Sequence, residues 1–456
     1  VAAKKLVLIV VDGMTPATFE RAVESGRAPA LALLAERGSY RQATSVFPSL
    51  TPVCLSSIVT GAGPDVHHIP SLVWWHRQER RIVEYGSSFA ALRAAGMAQA
   101  IVDTIFNMNQ LHLGADAVTV YEALEDAGLV AAAVNITCYR GRHRHVPTLP
   151  WVTRAAYGPK RFFYYSLFES DRTGAPLAVR NRAAGSIDAY AAAVGRWLVT
   201  RDGFDFLAYY LSDFDYASHL RGPEGAEDVA LERTDAAIGA LLEAAGGPDA
   251  FLDRYTVVLH SDHGQTPVER VARLQESFSG LEDEILVTAS NRAGQIYVLP
   301  GARVDLAALA RRLDGEPAVE TTLRREGDEA VARREGEELR FRPGVGDGWE
   351  TSGDASLLDH PDGLGRAWSA LANPNAGELL VSAAHGWELA DLGGRHHAGG
   401  GSHGSLSAGD SLVPLLTVGL DAAPARITEI VPAVLAHFGI GRPAGAETRQ
   451  RASVAR

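Results

Sequence analysis

Four short segments of this sequence set carboxylates and imidazoles beside apolar runs: Asp12 in VLIVVDGM, Asp215 and His219 in DYASH, Asp262 and His263 in SDHG, and His403 in GSHGS. With the hydroxyl of Thr51 they supply three carboxylates, three imidazoles and one alcohol. Mixed oxygen and nitrogen donors of this kind suit two divalent cations, Zn²⁺ foremost, with Mn²⁺ or Fe²⁺ accepting similar ligands. Three aspartates offset three of the four formal charges of two such ions, leaving about one positive charge to attract an anion before Thr51 ionises. The chemistry this set suggests is metal-assisted transfer of a phosphoryl-type group to an activated hydroxyl.

Such residues act together only if the fold delivers them to one place. Asp215 and His219, four apart, share one face of a helical turn, and the adjacent Asp262 and His263 need a sharp turn to aim both inward. Thr51, in FPSLTPVCLSSIVTG, reads as an N-cap followed by proline at the first helical position, a role that accounts for the residue without chemistry. The positive end of that helix would equally stabilise an alkoxide and an incoming phosphate.

KLVLIVVD, FDFLAYYLSD at 204–213, YTVVLHSD at 255–262 and SLVPLLTVGL at 411–420 are continuous apolar runs, as expected of parallel strands buried on both faces. Helical stretches intervene at 29–38 and 230–246, and ITEIVPAVLAHFGI forms a last helix. This alternation predicts an α/β fold with a mostly parallel central sheet between helices. Ligands of such sheets bind beyond the carboxyl ends of the strands, and the chemical residues follow the first three runs or precede the fourth.

The chain of 456 residues is long enough for one large metal-binding core, over 1–284 and 399–456, with a smaller inserted α+β cap over 285–398. Arg- and Glu-rich helix candidates begin the cap after about Asn291, and GGRHHAGGGSHG would return the chain to the core, bringing His403 with it. A net charge of -12 without a Lys/Arg block argues against a nucleic-acid polymer as partner. Cys54 and Cys138 cannot form a disulfide framework, so reduced thiols are the default. The first apolar run is too short to span a bilayer and ends on a functional Asp, so a cytoplasmic protein with no membrane partner is expected. The oligomeric state is left open.

VVDGM, FPSLTPVCLSSIVTGAGPDVHHI, SDFDYASHLRGP, SDHGQT and GSHGS resemble, in order, the motifs of the alkaline phosphatase superfamily, closest to its nucleotide pyrophosphatase/phosphodiesterase branch. The resemblance implies a three-layer alkaline-phosphatase-like core. It also implies one zinc held by Asp215, His219 and His403, and another by Asp12, Asp262, His263 and the oxygen of Thr51. Thr51 would attack phosphorus, forming a phosphothreonine that water then cleaves. The expected substrate is a small phosphodiester or pyrophosphate, with a phosphomonoester or phosphonate as the alternative and a noncatalytic binding protein as a third reading.

Two departures stand out. The branch carries HGIxxN, whereas this chain reads HHIPSL, with His68 at the glycine and Leu72 at the phosphate-contacting asparagine. Pro52 removes one backbone donor, leaving Thr51 and Val53 nearby. A sulfatase is disfavoured, because Ser56 and Ile58 follow Cys54 where Pro or Ala and then Arg are required.

Other groups invite a role but fit plainer ones. Trp74, Trp75 and His76 suit a pocket wall or packing, and Arg140, Arg142, His143, Arg144 and His145 suit a distal acid group or a solvated loop. Phe162 to Tyr165 with Phe168 suit an entrance or a core. His67 and His68 are not needed as ligands, and His396 and His397 compete with His403.

Overall fold

In Lys5–Val11 (β1) every residue after the first is buried. Leu6, Leu8 and Val10 pack into one core while Val7, Ile9 and Val11 pack into another. A strand covered on both faces has no polar side, which is why its sequence is an unbroken apolar run. The computed structural model describes residues 3–148, 152, 154–170, 186–346 and 348–441.

The remaining strands of this sheet are Ser39–Thr44 (β2), Ala131–Val134 (β3), Arg161–Tyr164 (β4), Phe168–Glu169 (β5), Phe206–Leu211 (β6), Tyr255–His260 (β7) and Leu412–Val418 (β8). Their spatial order is β2-β8-β7-β1-β6-β3-β4-β5. The five strands from β7 to β4 run parallel, as the alternating pattern predicts. β8 departs from that reading: it is a buried strand but antiparallel to both β7 and β2. The chain reaches β8 from His403, at the end where the parallel strands finish, so it can only run back.

Helices cover both faces. Pro16–Ser25 (α1) and Pro29–Arg37 (α2) lie on the side of Val7 and Ile9, Thr51–Thr60 (α3) and Val120–Asp126 (α4) on the side of Leu8. Ile187–Arg201 (α5), Asp213–Glu227 (α6) and Leu231–Ala244 (α7) join the first layer, and Ile430–His437 (α8) joins the second. Each fully buried Leu or Ile in these layers contributes about 1.5–3 kcal/mol relative to exposure. The result is the three-layer α/β core of an alkaline-phosphatase-like fold.

A second, seven-stranded sheet is antiparallel throughout, in the order Ile285–Ser290, Ala293–Val298, Leu379–Ala383, Val319–Glu326, Glu329–Arg334, Glu337–Pro343, Trp349–Gly353. The Arg- and Glu-rich stretch expected to be helical forms three of these strands instead; within the described part of it only Leu306–Arg312 is an α-helix. Gly327 and Gly336, both at positive φ, mark the hairpin turns. The charges pair across strands, as with Arg333 and Glu338 at 3.1 Å and the buried Arg324 with Glu338 at 2.9 Å.

Cys54 and Cys138 are buried free thiols. Among the described residues no single helix is long and apolar enough to cross a membrane.

Candidate metal centre and nucleophile

Parallel strands that end together leave their next residues at one edge, and this edge assembles the site. Asp12 follows β1, its N–H donating to Leu211 O at 2.8 Å. β6 runs through Ser212 into α6, whose first two turns carry Asp215 and His219. β7 ends at His260, and the turn after it buries Asp262 and His263 completely. His403 arrives on Gly401–Ser402, which pairs with Thr266–Pro267. Two glycines permit the approach. A Cβ on Gly13, at φ +69°, would meet Asp215 Oδ1 at 2.8 Å, and one on Gly400 would meet the His219 carbonyl at 2.0 Å.

His263 Nε2 lies 3.3 Å from Asp12 Oδ1 and 3.4 Å from Asp262 Oδ2. His219 Nε2 is 3.3 Å from Asp215 Oδ2, and His403 Nε2 is 4.0 Å from Asp215 Oδ1. Two buried trios hold their candidate ligand atoms within 4.8 Å of one another: Asp215 with His263 and His403, and Asp12 with Asp262 and His263. His263 thus lies between the two halves, whereas the family resemblance assigns it to one. The His263 and His403 rings stack at 3.5 Å.

These residues fit divalent cations. Each imidazole commits Nδ1 to a carbonyl, His219 to Gly401 at 2.9 Å, His263 to Gly264 at 3.0 Å and His403 to Ser49 at 2.7 Å. In the neutral ring that a cation requires, Nδ1 therefore carries the proton and Nε2 keeps its lone pair for the site. Asp12 Oδ1 and Asp262 Oδ2 are buried without a hydrogen-bond partner.

The charges are uncomfortable without cations. Burial, then Asp215 and Asp262, drive the Asp12 carboxyl far above the ordinary range, and burial, then Asp215, push Asp262 up to about 7. Burial, reinforced by His263, holds His403 well below its usual value. For Asp215 burial acts upward but the imidazolium of His219 wins and holds the carboxyl low. For His219 burial acts downward and Asp215 wins, raising it to about 9. Burial also opposes protonation of His263, but the neighbouring Asp12 carboxylate raises it.

Thr51 is not the cap that its sequence context suggests. Leu50 occupies the N-cap with no side-chain bond, and α3 begins at Thr51 itself. Its Oγ1 instead faces His263 Nε2 at 3.1 Å. The Val53 N–H already donates to Leu50 O at 2.9 Å, so it is not available as the second backbone donor expected beside Thr51.

Three neighbours escaped the sequence reading. Tyr210 donates its hydroxyl to Asp12 Oδ2, and Gln265 donates its amide to Asp215 Oδ1. Asn291 Nδ2 is 3.0 Å from His403 Nε2. Gln265 lies inside SDHGQT and was within reach; the other two depend on which segments meet in space.

The remaining groups take their plainer roles. Trp74 is fully buried in the hairpin Val73–His76/Arg81–Glu84, and Leu72 and Trp75 pack against the same core. Arg140 and Arg142 pair with Glu122 and Asp126, and His145 bonds Pro159 O at 2.8 Å. Phe162 and Phe168 are core residues, while Tyr165 lines a cavity of about 580 Å³ beside α6 with Tyr190 and Tyr216. His67 is buried against Ser57 Oγ at 3.0 Å. His397 stacks on His219 at 4.0 Å, its Nδ1 2.7 Å from Glu388.

The sequence matches the family described as type I phosphodiesterase / nucleotide pyrophosphatase over residues 6–406. No curated protein matches it. Among solved structures, it is similar to phosphonoacetate hydrolase from Sinorhizobium meliloti 1021 in complex with phosphonoacetate, at 18% identity and TM-score 0.64 over 96% of both chains. It is also similar to murine ectonucleotide pyrophosphatase/phosphodiesterase 5, at 13% identity and TM-score 0.63 over 98% of both chains. An inactive form of the murine protein in complex with AMP gives 13% identity and TM-score 0.62 over 96% of both.

Proposed function

Because the chain belongs to the type I phosphodiesterase / nucleotide pyrophosphatase family and is a phosphoric ester hydrolase of that type, we propose that it cleaves a phosphodiester or pyrophosphate bond of a small molecule through a phosphothreonine on Thr51. Asp12, Asp262 and His263 with Thr51 would hold one cation, and Asp215, His219 and His403 the other. When bound, two divalent ions, zinc by the donor set, offset negative charge on the attacking and departing oxygens.

The observation that carries this reading is the Thr51 hydroxyl, free of any capping bond and 3.1 Å from His263 Nε2 among six buried or nearly buried ligand residues. Its hydroxyl would lose its proton to solvent and its oxygen would bond to phosphorus as the leaving oxygen departs with its electron pair. Water then splits the phosphothreonine, restoring the alcohol. The N-terminus of α3 favours negative charge at both stages.

The 285–398 segment is proposed as the cap that selects the leaving group. A phosphonate or phosphomonoester is the second reading, favoured by Leu72 at the asparagine position and by a fold shared with a hydrolase crystallised with phosphonoacetate. Two buried free thiols suit a reducing compartment, so cytoplasmic residence belongs to the proposal.

The test is turnover of an aryl phosphodiester, an aryl phosphomonoester and a phosphonate, with acid quenching and mass analysis of the peptide that contains Thr51. A phosphorylated Thr51 and loss of turnover with chelator are expected. Full activity in Thr51→Ala would remove the nucleophile assignment.

A further inference from the structure

We propose that the side-chain amide of Asn291 donates a hydrogen bond to the phosphoryl group of the bound substrate. This rests on the reading of the site given above. It concerns a donor on the second sheet rather than on the strand ends that supply the ligands.

Ile285–Ser290 and Ala293–Val298 form a hairpin in which Ser290 pairs with Ala293, so Asn291 and Arg292 are its two-residue tip. Asn291 takes φ +56°, a left-handed conformation that asparagine tolerates better than most residues. The tip is pinned from several sides. Arg292 N donates to His403 O at 2.8 Å, Leu389 N donates to Asn291 O at 2.7 Å, and the buried Arg292 guanidinium meets Asp410 at 2.8 Å.

The amide orientation follows from its two contacts. Asn291 Oδ1 accepts from Ser290 Oγ at 3.1 Å, which turns Nδ2 toward His403 Nε2 at 3.0 Å. His403 Nδ1 is committed to Ser49 O, so the atom facing Asn291 is the lone-pair nitrogen, the same atom a cation would take. Ligation of His403 therefore strips the Asn291 donor of its acceptor. Asn291 is only 6% exposed, and a buried N–H without a partner is costly. The acceptors brought to that place by catalysis are the oxygens of the phosphoryl group. The sequence places Leu72, which has no donor, where the resembling proteins carry an asparagine.

The experiment uses the full chain saturated with Zn²⁺ and measures binding of inorganic phosphate and orthovanadate by calorimetry for wild type, Asn291→Ala and Asn291→Gly. Glycine keeps the positive φ without strain, so this variant carries the test where alanine fails to fold. Anion affinity is expected to fall about tenfold or more, the loss of one hydrogen bond to a charged group. Zinc affinity, measured separately by chelator competition, should stay equal or tighten, because the amide no longer competes for Nε2. Unchanged anion affinity in the zinc-saturated variants overturns the proposal, whether zinc affinity stays level or falls, the latter meaning that Asn291 only orients His403. If zinc-saturated wild type binds neither anion, the proposed function falls with it; if wild type binds and the variants match it, this inference alone falls.

Discussion

Tyr210 donates its hydroxyl to Asp12 across the parallel pairing of β6 with β1, where Tyr210 and Val10 are register partners. The bond occupies Asp12 Oδ2 and leaves Oδ1 directed toward His263 Nε2 at 3.3 Å. A hydrogen bond that orients a ligand is worth about 10–100-fold in metal affinity. Tyr210→Phe conserves volume and should weaken the tighter of the two zinc sites or the looser one by that factor, read by competition with a chromogenic chelator. Two zinc affinities identical to those of wild type would remove Tyr210 from the centre.

What the sequence reveals and conceals here has physical causes. β1, β6 and β7 were legible because strands buried on both faces must be apolar throughout, and Asp215 with His219 because helical spacing fixes a shared face. The direction of β8 was hidden, since burial pattern carries no sign of parallel or antiparallel pairing. Thr51 read two ways because Thr-Pro is the ordinary start of a helix, and the observed cap at Leu50 removes the plainer of them. The Arg- and Glu-rich segment misled because charged residues that favour an isolated helix also pair across strands. Asn291 and His403 are 112 positions apart, and local pattern cannot place them together.

The second sheet is fastened to the core by a fully buried ion pair, Arg292 with Asp410 at 2.8 Å. Arg292 also donates to the carbonyls of Ala384 at 3.0 Å and Trp387 at 3.1 Å, while Asp410 accepts from Thr266 Oγ1 at 2.5 Å and Ser405 N at 2.8 Å. Removing one partner leaves a buried charge uncompensated, so Arg292→Ala should cost about 3–5 kcal/mol. Urea unfolding of the two proteins at equal zinc saturation checks the value. A loss below about 1 kcal/mol would mean that water enters and solvates Asp410.

His67 gives stability a definite pH dependence. Its Nδ1 accepts from Ile69 N at 3.1 Å and its Nε2 faces Ser57 Oγ, so the folded protein holds the neutral ring. Burial, then the charge of His68, lowers its pKa to about 3, against about 6.5 unfolded. For a base with a depressed folded value, the contribution is fully present above 6.5. It is lost as pH falls toward about 3, at about 1.4 kcal/mol per pH unit while only the unfolded chain takes the proton. The difference in urea midpoint between wild type and His67→Gln should therefore shrink from pH 7 to pH 4. A pH-independent difference would show that His67 is solvated in the folded state.

The last prediction turns on three carboxylates buried together, Asp12, Asp215 and Asp262. Their mutual repulsion is tolerable when cations stand among them and destabilising when they do not. Adding Zn²⁺ at about 100 times each dissociation constant should stabilise the fold by about 2.7 kcal/mol per site. Asp262→Asn separates the two effects. The Asn side-chain oxygen can keep the bonds now made to Oδ1 by Gly13 N at 3.3 Å and His263 N at 3.0 Å, while one negative charge disappears. In chelator at pH 8 the variant should melt higher than wild type, because burial and Asp215 both disfavour an ionised Asp262. With zinc the order should reverse, because the variant has lost an anionic ligand and gains less. Thermal melts of both proteins in both conditions decide it: a variant that gains as much from zinc as wild type does would show that Asp262 holds no cation.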